Sequence, residues 1–358
     1  MKISPILNFG NFGHYVDDVD YNNISKEEWL EIGKLNLKGL VTILRNVTIS
    51  KDQYFEAIAS FGVMESTLRS SLVKKYGHDF DAFNEESFKD FTDDEKIYLR
   101  NKKYLWEKTE KGTTLTRITG VLDDQGRPTG AFSHGDLNWH SNESSFLAFA
   151  PVVTLLGVHG MIGSSTGFVQ TVDYYESVSE SFRSELNDMK LVHKYVPGSI
   201  NAREKVDPIT QMQVKMVMCP TDEVETPLVV TSPGGFKGLR YNVHTAYKIK
   251  DMTEEQSAKV FDQINKELFT EKYVFDHWYK TNNDLLLFDN SVTLHRRIGG
   301  EVERLAYRYQ YFPKNLLDHS WNPYDDPYYA DEYNKIKKDI DHFTTQDNYA
   351  KSTKDTNY

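Results

Sequence analysis

The chain has 358 residues, 39% hydrophobic and 13% aromatic, enough to bury a substantial core in one large domain or two ordinary ones. A formal charge of −11 excludes the electrostatic footprint of a general nucleic-acid binder, which needs clustered Lys and Arg, but leaves room for a local basic pocket around a small anion. The N-terminus lacks a signal-peptide pattern, no apolar run is long enough to span a membrane, and the single cysteine, Cys219, excludes an intramolecular disulfide, so a cytoplasmic protein is expected.

The first long segment, ISKEEWLEIGKLNLKGLVTILRN, opens on a capping box of Ser25 and Glu28 and predicts an amphipathic helix to about Lys38-Gly39. Leu40 to Leu44 follows as a short buried strand, and a second helix runs from about Lys51 to Ser60, stopping at Gly62. From about 65 to 112 the composition is charged with irregular aromatics, the pattern of a helical insert layered on a core. Strand-like runs then recur: TLTRITGVL, VVTLLGVHG, GFVQTVDYY, KLVHKYV, TPLVVTS, DLLLFD and LAYRYQYF, each bounded by Gly, Pro, Asn or Asp. Between them sit two helices, one after Ser177 with Glu180 three residues on, the other after Thr253 with Gln256 in the matching place. Many strands and few helices predict a mainly β fold with helical layers, a jelly roll rather than alternating βαβ units. Residues 1–315 read as a single domain, and 316–358 as a polar, Tyr-rich tail whose end is expected to be disordered.

With one cysteine, any metal must use His, carboxylate or amide ligands. His140 lies in LNWHSNESSF and His295 in DLLLFDNSVTLHRR, each at the edge of a strand-like segment and far apart in sequence. A histidine there is more often a hydrogen-bonded structural residue than a ligand. Arg304 and Arg308, four residues apart, fall on one face if both are in a strand. Two arginines aimed inward beside a histidine are costly without an anion, and guanidinium forks suit carboxylates; the alternative is an exposed charged strand face.

The chain resembles the taurine dioxygenase family of iron(II)- and 2-oxoglutarate-dependent oxygenases. The likeness is carried by ISKEEWLEIGKLNLKGLVTILRN, GRPTGAFSHGDLNWHSNES, SSTGFVQTVDYYESV and the stretch from DMTEEQSAKVFDQI to DNSVTLHRR, in the family's order over roughly residues 25 to 312. The resemblance implies a double-stranded β-helix (jelly-roll) core with His140 and His295 as iron ligands. It implies that Thr166 contacts 2-oxoglutarate, that Arg304 pairs with the far carboxylate of 2-oxoglutarate, and that Arg308 faces the substrate or reinforces the same anion. A small-molecule substrate, polar or anionic, is implied, with Fe(II) and 2-oxoglutarate as cofactor and co-substrate.

The departure is Asn142, which stands where the family has Asp. Two histidines and a carboxylate hold Fe(II) on one face and leave positions for co-substrate and oxygen; an amide oxygen is a neutral, weaker ligand. Three arrangements follow: Asn142 ligates in place of Asp, Glu143 supplies the carboxylate through a one-residue shift relative to Phe146, or the position is open to water or halide, as in halogenating relatives with Gly or Ala there. The expected activity is hydroxylation of an unactivated C–H bond; the alternatives are a binding protein that has lost turnover and a halogenase-like variant. A zinc hydrolase built on His140, Glu143 and His295 leaves Thr166 and the arginines unexplained.

Overall fold

In a computed structural model the described residues are 1–64, 72, 75–78, 80, 84–102, 106–108, 114–126, 129–132, 135–194, 224–243 and 245–343. Strands β1 (Lys2–Pro5) and β2 (His14–Asp17) lead into α1 (Lys26–Gly39), β3 (Val41–Leu44), α2 (Lys51–Phe61) and β4 (Val63–Met64). The capping box at Ser25 forms as the sequence requires, Glu28 N donating to Ser25 Oγ and Ser25 N to the Glu28 carboxylate, and a second one joins Ser50 and Gln53 at the start of α2. Each such cap contributes about 1 kcal/mol by satisfying backbone donors that the first helical turn leaves open. Leu40 ends α1 at φ 62°, so the buried strand begins one residue later than its hydrophobic run.

Within the predicted insert the described parts are a 3₁₀ turn (Glu85–Phe88), α3 (Asp93–Lys102) and β5 (Trp106–Lys108); much of 65–83 and 109–113 lies outside the described residues. The chain continues through β6 (Thr114–Ile118), β7 (Leu137–His140), β8 (Val152–His159) and β9 (Ser165–Gln170), then α4 (Val172–Ser177) and α5 (Glu180–Asp188). Two expectations change here. The run GFVQTVDYY is strand only to Gln170 and then turns helical, and the cap of α5 is Ser179, which accepts from Phe182 N, while Ser177 closes the preceding helix. The remaining elements are β10 (Lys190–His193), β11 (Val224–Pro227), β12 (Val229–Thr231), β13 (Lys237–Leu239), β14 (Ala246–Ile249), α6 (Glu254–Leu268, with the Thr253–Gln256 capping box), β15 (Val274–Trp278), β16 (Leu285–Asp289), β17 (Thr293–Ile298), β18 (Leu305–Phe312) and α7 (Pro327–Phe343). Cys219 and residues 344–358 lie outside the described residues.

The described strands assemble as a jelly roll of two stacked sheets that, among the described residues, do not close into a barrel. The large sheet runs β1-β2-β3-β16-β8-β18-β6-β5, with β4 also on β18; the small one runs β15-β9-β17-β7. Side-chain alternation assigns the faces. On β18, Tyr307, Tyr309 and Tyr311 pack outward on α1 and α2, whereas Ala306 and Phe312 face the small sheet, and Arg308 and Gln310 share their parity. Phe288 of β16 meets Phe168 of β9 between the sheets at 5.2 Å. The outer face of the small sheet is covered by α4, α5, α6 and the strands β10 to β14 through Val169, Leu191, Leu239, Ile264 and Leu294.

The predicted polar tail is, up to Phe343, part of this fold. Trp321, Tyr324 and Tyr333 are buried in the inter-sheet core, Trp321 Nε1 donates to Thr231 O at 3.0 Å and Tyr324 OH to Leu147 O at 2.7 Å. Tyrosine made the segment look polar; its ring supplies buried area while the hydroxyl finds a backbone acceptor.

Candidate active site

His140 ends β7 and His295 sits in β17, and the two are direct cross-strand partners with ring centroids 4.2 Å apart. Pairing alone would not aim both rings at one point. The register slips between His295 and Arg297, so that Asn138 and Trp139 together oppose Arg296, a bulge that turns the end of β7. Arg296 is held outside by Asp276 (3.2 and 2.7 Å) and lies 4.4 Å over Trp139, which pins the bulge from its outer side.

The electrostatics suit ligation. His140 Nδ1 donates to the Asn138 carbonyl at 2.6 Å, which fixes the orientation of the ring. His295 packs on Phe288 at 4.8 Å, and its Nδ1 is buried without a hydrogen-bond partner among the described residues. Burial first, then the nearby His140 and Arg308, hold its pKa well below the ordinary histidine value, so the ring is neutral, the form in which imidazole binds metals. Among the described residues no three side chains of His, Cys, Asp or Glu gather to hold a metal.

Asn142 and Glu143 occupy the turn after β7, both buried. Asn142 is fixed by its backbone, N donating to Asn290 Oδ1 at 2.8 Å and O accepting from Asn290 Nδ2 at 3.0 Å. Its side-chain Nδ2 donates to Gln310 Oε1 at 3.3 Å. The Glu143 carboxylate is engaged on both oxygens, by Ala150 N at 3.1 Å and by Gln310 Nε2 at 3.0 Å. Glu143 adopts φ 58°, a left-handed conformation unfavourable for a side chain of this size. What holds it is Arg240, 1% exposed, whose guanidinium donates to the carbonyls of Asn142 (3.1 Å), Glu143 (2.6 Å) and Ser144 (3.1 Å) and lies 3.5 Å over the Phe149 ring. Burial pulls the pKa of Arg240 down to about 10, which leaves it charged at neutral pH.

A second cluster lies two cross-strand pairs further along β9 and β17. His295 pairs with Phe168, and Arg297 with Thr166, so Thr166 shares the inward face two residues from the histidine. Thr166 Oγ1 and Tyr279 OH are 2.9 Å apart. Arg304 is 3% exposed, its guanidinium makes no hydrogen bond or ion pair among the described residues, and burial lowers its pKa, with Tyr279 the nearby group that opposes the shift. Arg297, also buried, is by contrast satisfied by the carbonyls of Gly135 (2.6 Å) and Phe132 (3.0 Å). Arg304 precedes β18 rather than lying in it, and a bulge between Leu305 and Ala306 breaks the alternation, so the expectation that Arg304 and Arg308 share a strand face is corrected. The two differ in surroundings: Arg304 lies near Tyr279, while Arg308 acts electrostatically on His295 and lies 5.4 Å from the Phe132 ring centroid. The sharp turn that delivers Arg304 needs Gly299 and Gly300, at φ 70° and 107°.

Sequence reasoning missed Gln310, Asn290, Tyr279 and Arg240. Gln310 was within reach, two residues from Arg308 on one strand face; Arg240, in a connection after a three-residue strand, carried no local signal.

The description Taurine catabolism dioxygenase TauD, TfdA family matches residues 3–310. No curated protein matches the chain. Among solved structures, AAD-2 in complex with Mn(II) and N-oxalylglycine is 18% identical with a TM-score of 0.58, over 87% of this chain and 97% of that one. A putative alpha-ketoglutarate-dependent taurine dioxygenase from Burkholderia xenovorans is 16% identical with a TM-score of 0.56, over 87% and 88%, and a putative alpha-ketoglutarate-dependent 2,4-D dioxygenase from the same organism is 16% identical with a TM-score of 0.55, over 87% and 97%. These likenesses concern the fold, and no helix among the described residues is long and apolar enough to cross a membrane. With a family match across most of its length, a jelly-roll fold and paired histidines between its sheets, the chain belongs to the TauD/TfdA dioxygenase family, whose cofactor and co-substrate are Fe(II) and 2-oxoglutarate.

Proposed function

We propose that the protein is an Fe(II)- and 2-oxoglutarate-dependent oxygenase that hydroxylates an unactivated C–H bond of a small polar or anionic molecule. The observation that carries the reading is Arg304: a guanidinium 3% exposed, without a protein partner among the described residues, near Tyr279, whose hydroxyl bonds Thr166 two cross-strand pairs from His295. A buried cation without a counter-ion is costly, and a dicarboxylate with one end at Arg304 and the other near the histidines supplies the missing charge. The donor set fits the metal, with two imidazoles whose ring centroids are 4.2 Å apart, His295 neutral, and an amide at position 142.

When bound, Fe(II) would activate O2 with 2-oxoglutarate as the reductant, one oxygen atom leaving in succinate as CO2 is lost and the other entering the substrate C–H bond. The chain's own residues hold and orient. His140, His295 and Asn142 would carry the metal, Thr166 and Arg304 the far carboxylate, and Arg308, near enough to His295 to lower its pKa, a negative group of the substrate. Phe168 and Phe288, closing the space between the sheets, exclude water.

The amide at position 142 favours one second reading, a binding protein that holds 2-oxoglutarate without turnover. A halogenase-like open site fits less well, since the side chain at 142 is present and bonded to Gln310. The test is succinate release from 2-oxoglutarate in the presence of Fe(II) and oxygen. Succinate supports the oxygenase; bound 2-oxoglutarate with no succinate establishes the binding protein.

A further inference from the structure

The turn after β7 contains a directional chain of amides. Glu143 accepts on both oxygens, one from Ala150 N at 3.1 Å and the other from Gln310 Nε2 at 3.0 Å. A carboxylate in that setting only accepts, so Gln310 must point its NH2 at Glu143 and its Oε1 at Asn142. Gln310 Oε1 in turn only accepts, so Asn142 must give it Nδ2, at 3.3 Å, and turn Oδ1 away from Gln310. Asn142 cannot swing clear of this arrangement, because its own N and O are clamped by Asn290 and its carbonyl also by Arg240.

We infer that Glu143 acts through Gln310 as a positioning residue that fixes the amide of Asn142 with its oxygen free as a metal ligand, so that this site is built for Asn and rejects Asp. This deepens the oxygenase reading and rests on it for the identity of the metal. Replacing Asn142 by Asp alone leaves Gln310 with two carboxylates and one NH2 group, so one contact becomes oxygen against oxygen in a buried turn. The Glu143→Gln change works in the opposite sense. The introduced glutamine keeps its oxygen on Ala150 N and offers NH2 to Gln310, which must reverse; Asn142 reverses after it, presenting Nδ2, which cannot ligate. The two changes together are compatible: reversed Gln310 donates to the introduced aspartate, whose second oxygen is then free as an anionic ligand.

The experiment compares the full-length wild type, Asn142→Asp, Glu143→Gln and the double variant, by anaerobic calorimetric titration with Mn(II) and by melting of the metal-free proteins. Each single change weakens Mn(II) binding by about tenfold or more, the scale of changes next to a metal, while the double variant binds at least as tightly as wild type. In the metal-free state Asn142→Asp lowers the melting midpoint and the added Glu143→Gln restores it. The inference is overturned if Asn142→Asp alone tightens Mn(II), which would make position 142 an ordinary exchange of ligands. It is equally overturned if the double variant binds as weakly as Glu143→Gln, which would make Glu143 the ligand. The melting comparison needs no metal: restoration there with no Mn(II) binding by wild type upholds the amide chain and removes the oxygenase reading, and no restoration removes the amide chain.

Discussion

Replacing Arg304 by Met separates binding from stability with opposite signs. The guanidinium is 3% exposed and unpaired among the described residues, with the cationic Arg297 close enough to be affected by it. Its burial without a counter-ion costs several kcal/mol, so a Met of similar reach should make the ligand-free protein more stable by about 1–3 kcal/mol, a rise of a few degrees in melting temperature. Binding of 2-oxoglutarate should move the other way. Losing charge-assisted bonds and leaving a carboxylate unpaired costs roughly 2–4 kcal/mol, or ~30- to 1,000-fold in Kd. Calorimetry with 2-oxoglutarate in the presence of Mn(II), beside thermal melting without either, reads both quantities on one preparation. Unchanged affinity, or a variant that loses stability as well as binding, would refute the view that Arg304 is held unpaired for an anion.

Three further outcomes follow from the same geometry. Arg308→Ala should weaken the primary substrate more than 2-oxoglutarate, seen as a larger change in substrate KM than in 2-oxoglutarate Kd; the reverse ranking would exchange the roles of the two arginines. Arg240→Met should destabilise the protein by about 2–4 kcal/mol in denaturant unfolding, because three buried carbonyls each lose the charged one of their two donors, and Arg240→Lys should not restore it, since an ammonium lacks the fork that spans them. His193, between Thr226 and Thr245, has its pKa depressed to about 3 by burial and then by Arg240, against 6.5 unfolded. The unfolded chain therefore binds the extra proton first, stability is complete above about pH 6.5, and it falls by about 1.4 kcal/mol per pH unit toward pH 3; unfolding of His193→Gln should show a shallower decline over that window.

Much of the fold was legible because its signals are local. Capping boxes at Ser25 and Thr253, the stop at Gly62 and the β-branched runs of β8, β16 and β18 need no tertiary information. The misread places are those where a local pattern served two structures. GFVQTVDYY carries strand residues on both sides of a cap at Thr171, and the Tyr-rich segment after Pro313 reads as polar until its hydroxyls find buried acceptors. Within the site, both histidines were visible as residues, but their meeting depends on the bulge opposite Arg296. Arg304 was identified for a reason the structure changes, since it reaches the site from a glycine turn rather than from a strand face. Least legible was the environment of Asn142. Its neighbours Gln310, Asn290 and Arg240 lie 168, 148 and 98 positions away, and only the folded register makes an apparent loss of a carboxylate into a bonded amide.

The central claim, that the paired histidines and Arg304 form one site for Fe(II) and 2-oxoglutarate, is tested most directly by anaerobic titration of the full-length protein with both, followed by visible absorption. Chelation of 2-oxoglutarate to protein-bound Fe(II) predicts a charge-transfer band that requires both additions, saturates at one equivalent, and vanishes in His295→Ala. A protein that binds either component without developing the band, or develops it equally in His295→Ala, would contradict the account.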